Sequence, residues 1–225
     1  QLSGIAEKRY LWLVVENLLQ RDGSSRLASA LSRELMLNYS EWDFSDTKIY
    51  ACIKRLLLDY FDDAWPVFSS ALLRKGGDAS GSSLCLYLNS SKSQEIFESL
   101  LQDSSHESKV LEWCDEYPDR GPVIIISILP LYNEEGDHFS DFIMKLLDRY
   151  GNQQELLDSL MYQMASIPGM GSPVPYYERQ LNCISPLMDH PIEAVRVWAS
   201  NMQRALPKMI REEKTFDEEW TALYR

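Results

Sequence analysis

Hydrophobic residues recur at intervals of three and four along most of the chain, which is the spacing of one face of an α-helix. Short polar breaks separate these stretches and give turns of a few residues, as expected for antiparallel helix pairs. The pattern predicts helices over roughly the following ranges: 1–20, 25–36, 47–60, 62–73, 93–102, 107–117, 123–132, 139–150, 152–164, 176–188 and from 191 onward.

Several helix ends are predicted from capping residues. Gly151 is expected to close the helix over 139–150 as a C-terminal cap. The group 189–191, Asp-His-Pro, is typical of a helix start, because Asp is a good N-cap and Pro is tolerated in the first turn. Pro207 is then expected to kink this last helix or to end it near the preceding residue. Thr215 and Glu218 have the spacing of a capping box and predict a separate short helix at the C-terminal end.

The segment 123–129 is open to two interpretations. Its run of Val and Ile has a high β-propensity and the length of a strand. We predict a buried helix instead, because nothing else in the chain offers it a strand partner.

The last long helix has a basic face. On a helical wheel of about 100° per residue, its apolar residues fall on one side. The four cations opposite them are the candidate protein-binding residues: Arg196, Arg204, Lys208 and Arg211. A basic face of this kind is equally typical of a solvated helix surface, so this alternative stays open.

Two stretches of the chain share an order of residues. Each places a Val three residues before a Trp and then a small residue, at Val110, Trp113 and Cys114 and again at Val195, Trp198 and Ala199. The pattern Asp189, Pro191, Val195, Arg196 and Ala199 resembles the second helix of a HEAT repeat. The two stretches lie roughly 85 residues apart, about two units of the 40–47 residues typical of HEAT and armadillo repeats. The resemblance implies an all-α fold, with antiparallel helix pairs stacked as a short HEAT-like α-solenoid or as an irregular helical domain.

The chain is strongly acidic, with 34 Asp and Glu against 22 Lys and Arg and a net charge of −12. A surface that binds phosphates carries the opposite balance, so nucleic acid is disfavoured as a partner. The same charge disfavours anionic membranes. Since no apolar run approaches the roughly 20 residues that span a bilayer, we expect no membrane association.

The four cysteines, at 52, 85, 114 and 183, form no CxxC pair and lie far apart. This spacing favours reduced, buried thiols and a cytoplasmic protein. We expect a single helical domain over 1–225, with a candidate internal boundary in the Gly- and Ser-rich stretch 74–83. The first residue is Gln rather than Met, which suggests a piece of a longer protein.

Motifs for catalysis, cofactors and metals are weak. The stretch 76–83 has the glycine spacing of a phosphate-binding loop but Ser82 where Lys is required. The three histidines lie more than 30 residues apart, and no Gly-x-Ser-x-Gly turn is present. We therefore predict no catalytic, cofactor-binding or metal-ligating residue, and whether the chain is an enzyme stays open, with the balance against it.

Two functions are consistent with this pattern. The first is a non-catalytic protein-interaction or scaffold module of helical-repeat type within a larger protein. The alternative is a helical enzyme or ligand-binding domain with a pocket between helices. Its candidate walls are Trp113, Tyr176, Tyr177 and the loop 167–175, and it would hold an acid of raised pKa.

Overall fold

A computed structural model of the chain describes residues 17, 25–38, 47–74, 91–133, 135–165 and 172–223. These residues form ten α-helices and one short 3₁₀ turn. Within them the only β-type pairing is an isolated antiparallel bridge between Tyr132 and Phe139. The prediction of an all-α fold is therefore confirmed for the described part of the chain.

The chain divides into two compact units, 1–124 and 125–225. The helices of the first unit are α1 (Ser25–Asn38), α2 (Thr47–Asp59), α3 (Phe61–Leu73), α4 (Ser91–Leu101) and α5 (Ser104–Glu116), and α6 (Gly121–Ile128) contains the division. Those of the second unit are α7 (Asp141–Tyr150), α8 (Gln154–Ala165), α9 (Val174–Ile184), the 3₁₀ turn Ser185–Asp189 and α10 (Glu193–Leu223).

In the first unit, α1 packs on α3, α2 packs on α3 and α4, and α4 packs on α5. Large apolar side chains from these helices are fully covered, among them Leu35, Ile53, Leu56, Phe68, Phe97 and Leu100. The Asp63 carboxylate accepts hydrogen bonds from the hydroxyls of Ser25 and Ser29, which joins α3 to the start of α1. Burial of one apolar stripe per helix holds this unit together.

The ambiguous segment 123–129 is helical as far as Ile128, as predicted, but the helix does not continue to residue 132. A turn at Tyr117 initiates it, since the N–H of Gly121 donates to the carbonyl of Tyr117 at 2.7 Å and that of Ile124 to Arg120 at 2.9 Å. Three isoleucines of α6 are fully buried, Ile125, Ile126 and Ile128. Burial therefore outweighs the β-propensity of the run.

In the second unit, α9, the 3₁₀ turn and α10 pack against one another, and α8 also contacts α10. Ser140 caps α7, and its hydroxyl accepts from the N–H of Ile143. The buried Gln180 side chain donates to the carbonyl of Met164 at 2.6 Å and joins α9 to α8. Buried polar groups in this unit thus act as links between neighbouring helices.

The last helix differs from the prediction at both ends. α10 begins at Glu193 rather than at Pro191, and Asp189 ends the 3₁₀ turn instead of capping the helix. α10 then runs without a break through Pro207 to Leu223. Pro207 is exposed, so water can solvate the carbonyl that loses its helical partner. The expectation that the helix ends there is wrong.

The predicted separate C-terminal helix is also wrong. Thr215 lies inside α10, where its hydroxyl donates to the carbonyl of Arg211 at 3.0 Å instead of capping a new helix. This bond to the residue four positions earlier is the usual interaction of Thr in a helix interior. The second half of α10 is joined to α9 by an ion pair of 2.9 Å between Lys214 and Glu178.

The two stretches that suggested a repeat have matching burial. Val110, Trp113 and Cys114 are buried in α5, and so are their counterparts in α10, Val195, Trp198 and Ala199. Helical periodicity alone gives this match, so the stacked solenoid stays a prediction. The predicted helix 1–20, apart from the helical Asn17, lies outside the described residues, as do 75–83 of the candidate boundary and 166–171 of the later loop.

None of the described helices is both long enough and apolar enough to cross a lipid bilayer. The side chains of Cys52, Cys114 and Cys183 are buried. The expectation of buried cysteines is thus confirmed at these three positions.

Gly151 closes α7 as expected, but for a different physical reason. Its backbone has right-handed helical angles (φ −62°, ψ −6°), which any residue adopts. A Cβ here would lie 2.4 Å from both the carbonyl oxygen of Leu147 and Cγ2 of Val195. Glycine is required at this position because the Leu147 carbonyl of α7 and the Val195 side chain of α10 together leave no room for a Cβ.

We predict that Gly151→Ala lowers the free energy of unfolding by about 1–3 kcal/mol, the usual cost of forcing extra atoms into a packed site. Thermal and urea unfolding followed by circular dichroism measure this change. An unfolding midpoint equal to that of the parent protein would contradict the packing described for α7 and α10.

Candidate interaction groove

An open groove of about 370 Å³ lies between α3 and α5 in the first unit. On α3 it is lined by Trp65, Pro66, Ser69, Ser70 and Leu73. On α5 and the residue after it, the lining is Lys109, Glu112, Trp113, Glu116 and Tyr117. The groove is thus a helix–helix cleft that is open to solvent along its length.

Helical spacing explains why these residues share the groove. Positions 66, 69, 70 and 73 follow the order i, i+3, i+4, i+7, which places them on one face of α3. Positions 109, 112, 113 and 116 repeat the same order on α5. The lining residues on the solvent side of the tryptophans include the small or polar side chains of Ser69 and Ser70 on α3 and of Lys109, Glu112 and Glu116 on α5. The two helices contact each other through the tryptophans, and the space beside these side chains stays open.

Aromatic rings form the floor of the groove. Trp65 and Trp113 pack edge to face, with ring centroids 5.6 Å apart and planes at 75°. Phe61 stacks on Trp65 at 5.5 Å, and Tyr117 contacts Trp113 at 5.8 Å. Each such pair contributes about 0.5–1.5 kcal/mol beyond simple burial. Trp65, Trp113 and Tyr117 therefore give the groove an aromatic base, and Phe61 supports Trp65 from below the surface.

A second hollow of about 280 Å³ continues the groove beyond the end of α5. It shares Leu73, Glu116 and Tyr117 with the first hollow and extends along 118–120. Tyr117 is 37% exposed and lines both hollows. Its ring is therefore accessible to a bound molecule from either side.

The cations of the groove are both held by neighbouring groups. Lys109 pairs with Asp62 of α3. The Arg120 guanidinium donates to the carbonyl of Leu73 at the end of α3. These two contacts fasten α3 to α5 and to the turn behind it, at opposite ends of the groove.

The carboxylates of the groove are exposed to solvent, at Glu112, Glu116 and Asp119. A hydrogen bond from the Tyr117 hydroxyl to the Glu116 carboxylate, together with the negative charge of that carboxylate, raises the pKa of Tyr117. The neutral hydroxyl therefore stays a donor beside a charged acceptor. The rim of the groove is more acidic than basic.

The structure separates the four predicted binding cations into two kinds. Arg196 is partly buried, and its guanidinium donates to the carbonyls of His190 and Pro191 at 2.6 and 2.8 Å. It fastens the start of α10 to the preceding turn, which is a structural role. Arg204, Lys208 and Arg211 are exposed on one side of α10, and their binding role stays a prediction.

His190 is a buried link between helices. Its Nδ1 accepts from the N–H of Ile192 at 3.2 Å, so the ring proton lies on Nε2. Nε2 lies 3.1 Å from Oδ1 of Asp148 on α7. His190 follows the 3₁₀ turn as its C-terminal cap, three residues before α10 begins at Glu193.

The walls proposed for an enzyme pocket fall in different units. Trp113 lies in the first unit and lines the groove, whereas Tyr176 and Tyr177 lie in the second. Among the described residues, no group of three or more His, Cys, Asp and Glu is placed to hold a metal ion.

Two carboxyl groups have pKa values below their usual range. The carboxylate of Asp103 accepts from the N–H of Ser105, and that of Asp137 accepts from the ring of His138. Because hydrogen bonds stabilise the charged form, neither is the acid of raised pKa that a catalytic pocket would need.

Comparisons with protein families, with curated proteins and with solved structures find no match to this chain. The groove is therefore interpreted from its own geometry and charge. The sequence carries a partial signal for the groove, which was not recognised. Ser69 and Ser70 on α3, and Lys109, Glu112 and Glu116 on α5, are small or polar residues on the faces that also carry Leu73 and Trp113.

We predict that Arg196→Ala lowers the free energy of unfolding by about 1–2 kcal/mol, because two charge-assisted hydrogen bonds to carbonyls are lost. Arg204→Ala is the matched control on the same helix and should change stability by less than about 0.5 kcal/mol, as surface substitutions do. Urea unfolding of both variants tests the assignment, and equal stabilities would show that Arg196 has no structural role.

Cys183 provides a test through pH. Its side chain is 2% exposed, and burial, followed by the nearby charge of Asp137, raises the pKa of the thiol to about 11. Since the thiolate is the reactive form, Cys183 in the folded protein should resist iodoacetamide near neutral pH. Its rate of reaction should rise about tenfold for each unit by which the pH increases, as long as the pH stays below the pKa. Peptide mass mapping measures the modification. Equally fast modification of native and urea-unfolded protein near neutral pH would contradict this environment.

Proposed function

We propose that this chain is a non-catalytic protein-interaction module, and that a segment of a partner protein binds in the groove between α3 and α5. The observation that carries the proposal is the open groove, whose floor is formed by the largely buried rings of Trp65 and Trp113 and whose edge exposes the ring of Tyr117. Tyrosine and tryptophan are enriched at sites of protein recognition.

The size of the groove suits a short piece of extended chain. Its wall on α3 runs from Pro66 to Leu73, which corresponds to about 10 Å along a helix axis. An extended chain advances about 3.3 Å per residue, so this wall accommodates about three residues. The second hollow gives room for further residues in the same direction. A ligand held in an open groove can continue at both ends, as a segment of a longer protein must.

The groove is less suited to catalysis than to binding. Glu112 and Glu116 lie at its rim and are exposed, so water screens their charge. General acid–base chemistry is favoured where a carboxyl group is enclosed and its pKa is raised. The alternative of a helical enzyme or ligand-binding domain is therefore the weaker proposal.

A helical scaffold fits the same proposal. Stacked helix pairs of HEAT type present long surfaces to protein partners, and such modules commonly belong to larger proteins. The exposed cations Arg204, Lys208 and Arg211 on α10 are then a second candidate contact surface. A cytoplasmic location, a protein partner and the absence of nucleic-acid and membrane binding belong to this proposal as well.

Site-specific photo-crosslinking in the native cells tests the proposal. A benzophenone amino acid is placed at Ser70 on the groove wall, at Lys208 on the basic face of α10, and at Ser108 as a control. Ser108 is exposed on α5 but does not line the groove. We expect a discrete adduct with one partner protein from position 70 and none from position 108.

The pattern of adducts distinguishes the two surfaces. An adduct at position 208 in addition to position 70 would support both contact surfaces. Adducts at position 208 alone would move the interaction to α10 and refute the groove. Absence of adducts at both positions, with the protein folded and present at normal levels, would contradict an interaction module.

A further inference from the structure

We infer that the occupant of the groove is a short, extended and positively charged segment of a partner protein, with an apolar or aromatic side chain against the tryptophan floor. This inference rests on the proposed function and specifies the chemistry of the partner. Three features support it, namely the charge of the rim, the accessible ring of Tyr117 and the shape of the groove.

The charge of the rim is unbalanced toward carboxylates. Lys109 is neutralised by Asp62, and Arg120 is directed to the carbonyl of Leu73. Within the described part of the chain, neither Glu112 nor Asp119 has an ion-pair partner. The net charge of −12 adds a long-range attraction for cations. A ligand with Lys or Arg would supply the missing counter-charges.

The aromatic residues provide a second contact for the same cations. Tyr117 presents an accessible ring next to the Glu116 carboxylate that its hydroxyl contacts. A guanidinium over this ring would gain a cation–π interaction and an ion pair together. Aromatic-lined grooves of this type bind extended, often proline-containing segments in other proteins.

The charge of the rim disfavours an anionic occupant. The phosphates of a nucleic acid would be repelled by the carboxylates of the rim.

Selection from a displayed library of random peptides tests the inference. The immobilised full chain is the bait, and Ser70→Trp, which fills the groove from an exposed position on α3, is the counter-selection bait. We expect the retained peptides to be enriched in Lys and Arg beside an aromatic residue or Pro. Circular dichroism melting confirms that the Ser70→Trp protein is folded.

A titration with the most enriched peptide distinguishes the effect of the carboxylates of the groove from the effect of the net charge of the protein. Binding to E112K/E116K should weaken by about tenfold, since each exposed ion pair is worth only a few-fold in Kd and the substitution adds repulsion. The control E218K/E219K makes the same change in net charge on the last turns of α10 and should leave Kd unchanged within about twofold. Raising the salt concentration should weaken binding to the parent protein.

The outcomes separate this inference from the proposed function. Neutral or acidic peptides that bind the parent but not Ser70→Trp would overturn the cationic ligand and leave the interaction groove standing. If no peptide distinguishes the two baits, both proposals are refuted. A dimer in sedimentation velocity that E112K/E116K abolishes and the peptide fails to displace would replace the partner segment by a second copy. If E112K/E116K and E218K/E219K weaken peptide binding equally, the net charge of the protein explains the binding, and the inference is refuted.

Discussion

The edge-to-face contact between Trp65 and Trp113 is the interaction on which the groove of the first unit depends. It sets the distance between α3 and α5 with two large rings that lie at the level of the core. Above the rings, small and polar residues such as Ser69 and Ser70 leave the space between the helices open. The same pair is thus both the packing contact that joins the helices and the surface on which a ligand would lie.

The polar contacts around the two tryptophans hold α3 and α5 in the same relative position. Asp62 with Lys109, and Arg120 with the carbonyl of Leu73, fasten the same helices at opposite ends of the groove. Surface ion pairs contribute little to stability individually, so their effect is mainly to orient the side chains. Because Lys109 and Arg120 are paired with groups of the protein itself, the exposed carboxylates determine the charge of the rim, which is negative.

Helical periodicity predicted most of the fold because each helix buries a continuous apolar stripe. α2 was expected over 47–60 and occupies Thr47–Asp59. The prediction of helix ends failed where contacts with residues distant in the chain determine whether a helix continues. Pro207 weakens a helix locally, but the second half of α10 is held on α9, in part by Lys214 and Glu178. A residue 36 positions earlier in the chain supplies that contact, and no local pattern reveals it.

The candidate site was less predictable than the fold. The helical wheel grouped four cations of α10 on one face, but it could not show that Arg196 is directed to the carbonyls that precede its own helix. The groove is harder still to predict from the sequence, because its two walls lie about 40 residues apart in the chain. Each wall also contains a buried tryptophan, which is typical of a hydrophobic core. Close approaches such as that of Val195 to Gly151 likewise exist only after folding.

The most direct test of the account is a map of amide chemical shifts in the ¹⁵N-labelled protein on addition of a cationic, aromatic peptide. If the groove binds such a peptide, the perturbations are confined to 65–73 on α3 and to 109–120 on α5 and its following turn, and the amides of 204–211 are unchanged. Perturbations centred on 204–211, or a spectrum unaffected by a saturating concentration of such a peptide, would contradict the claim that the groove between α3 and α5 is the binding surface.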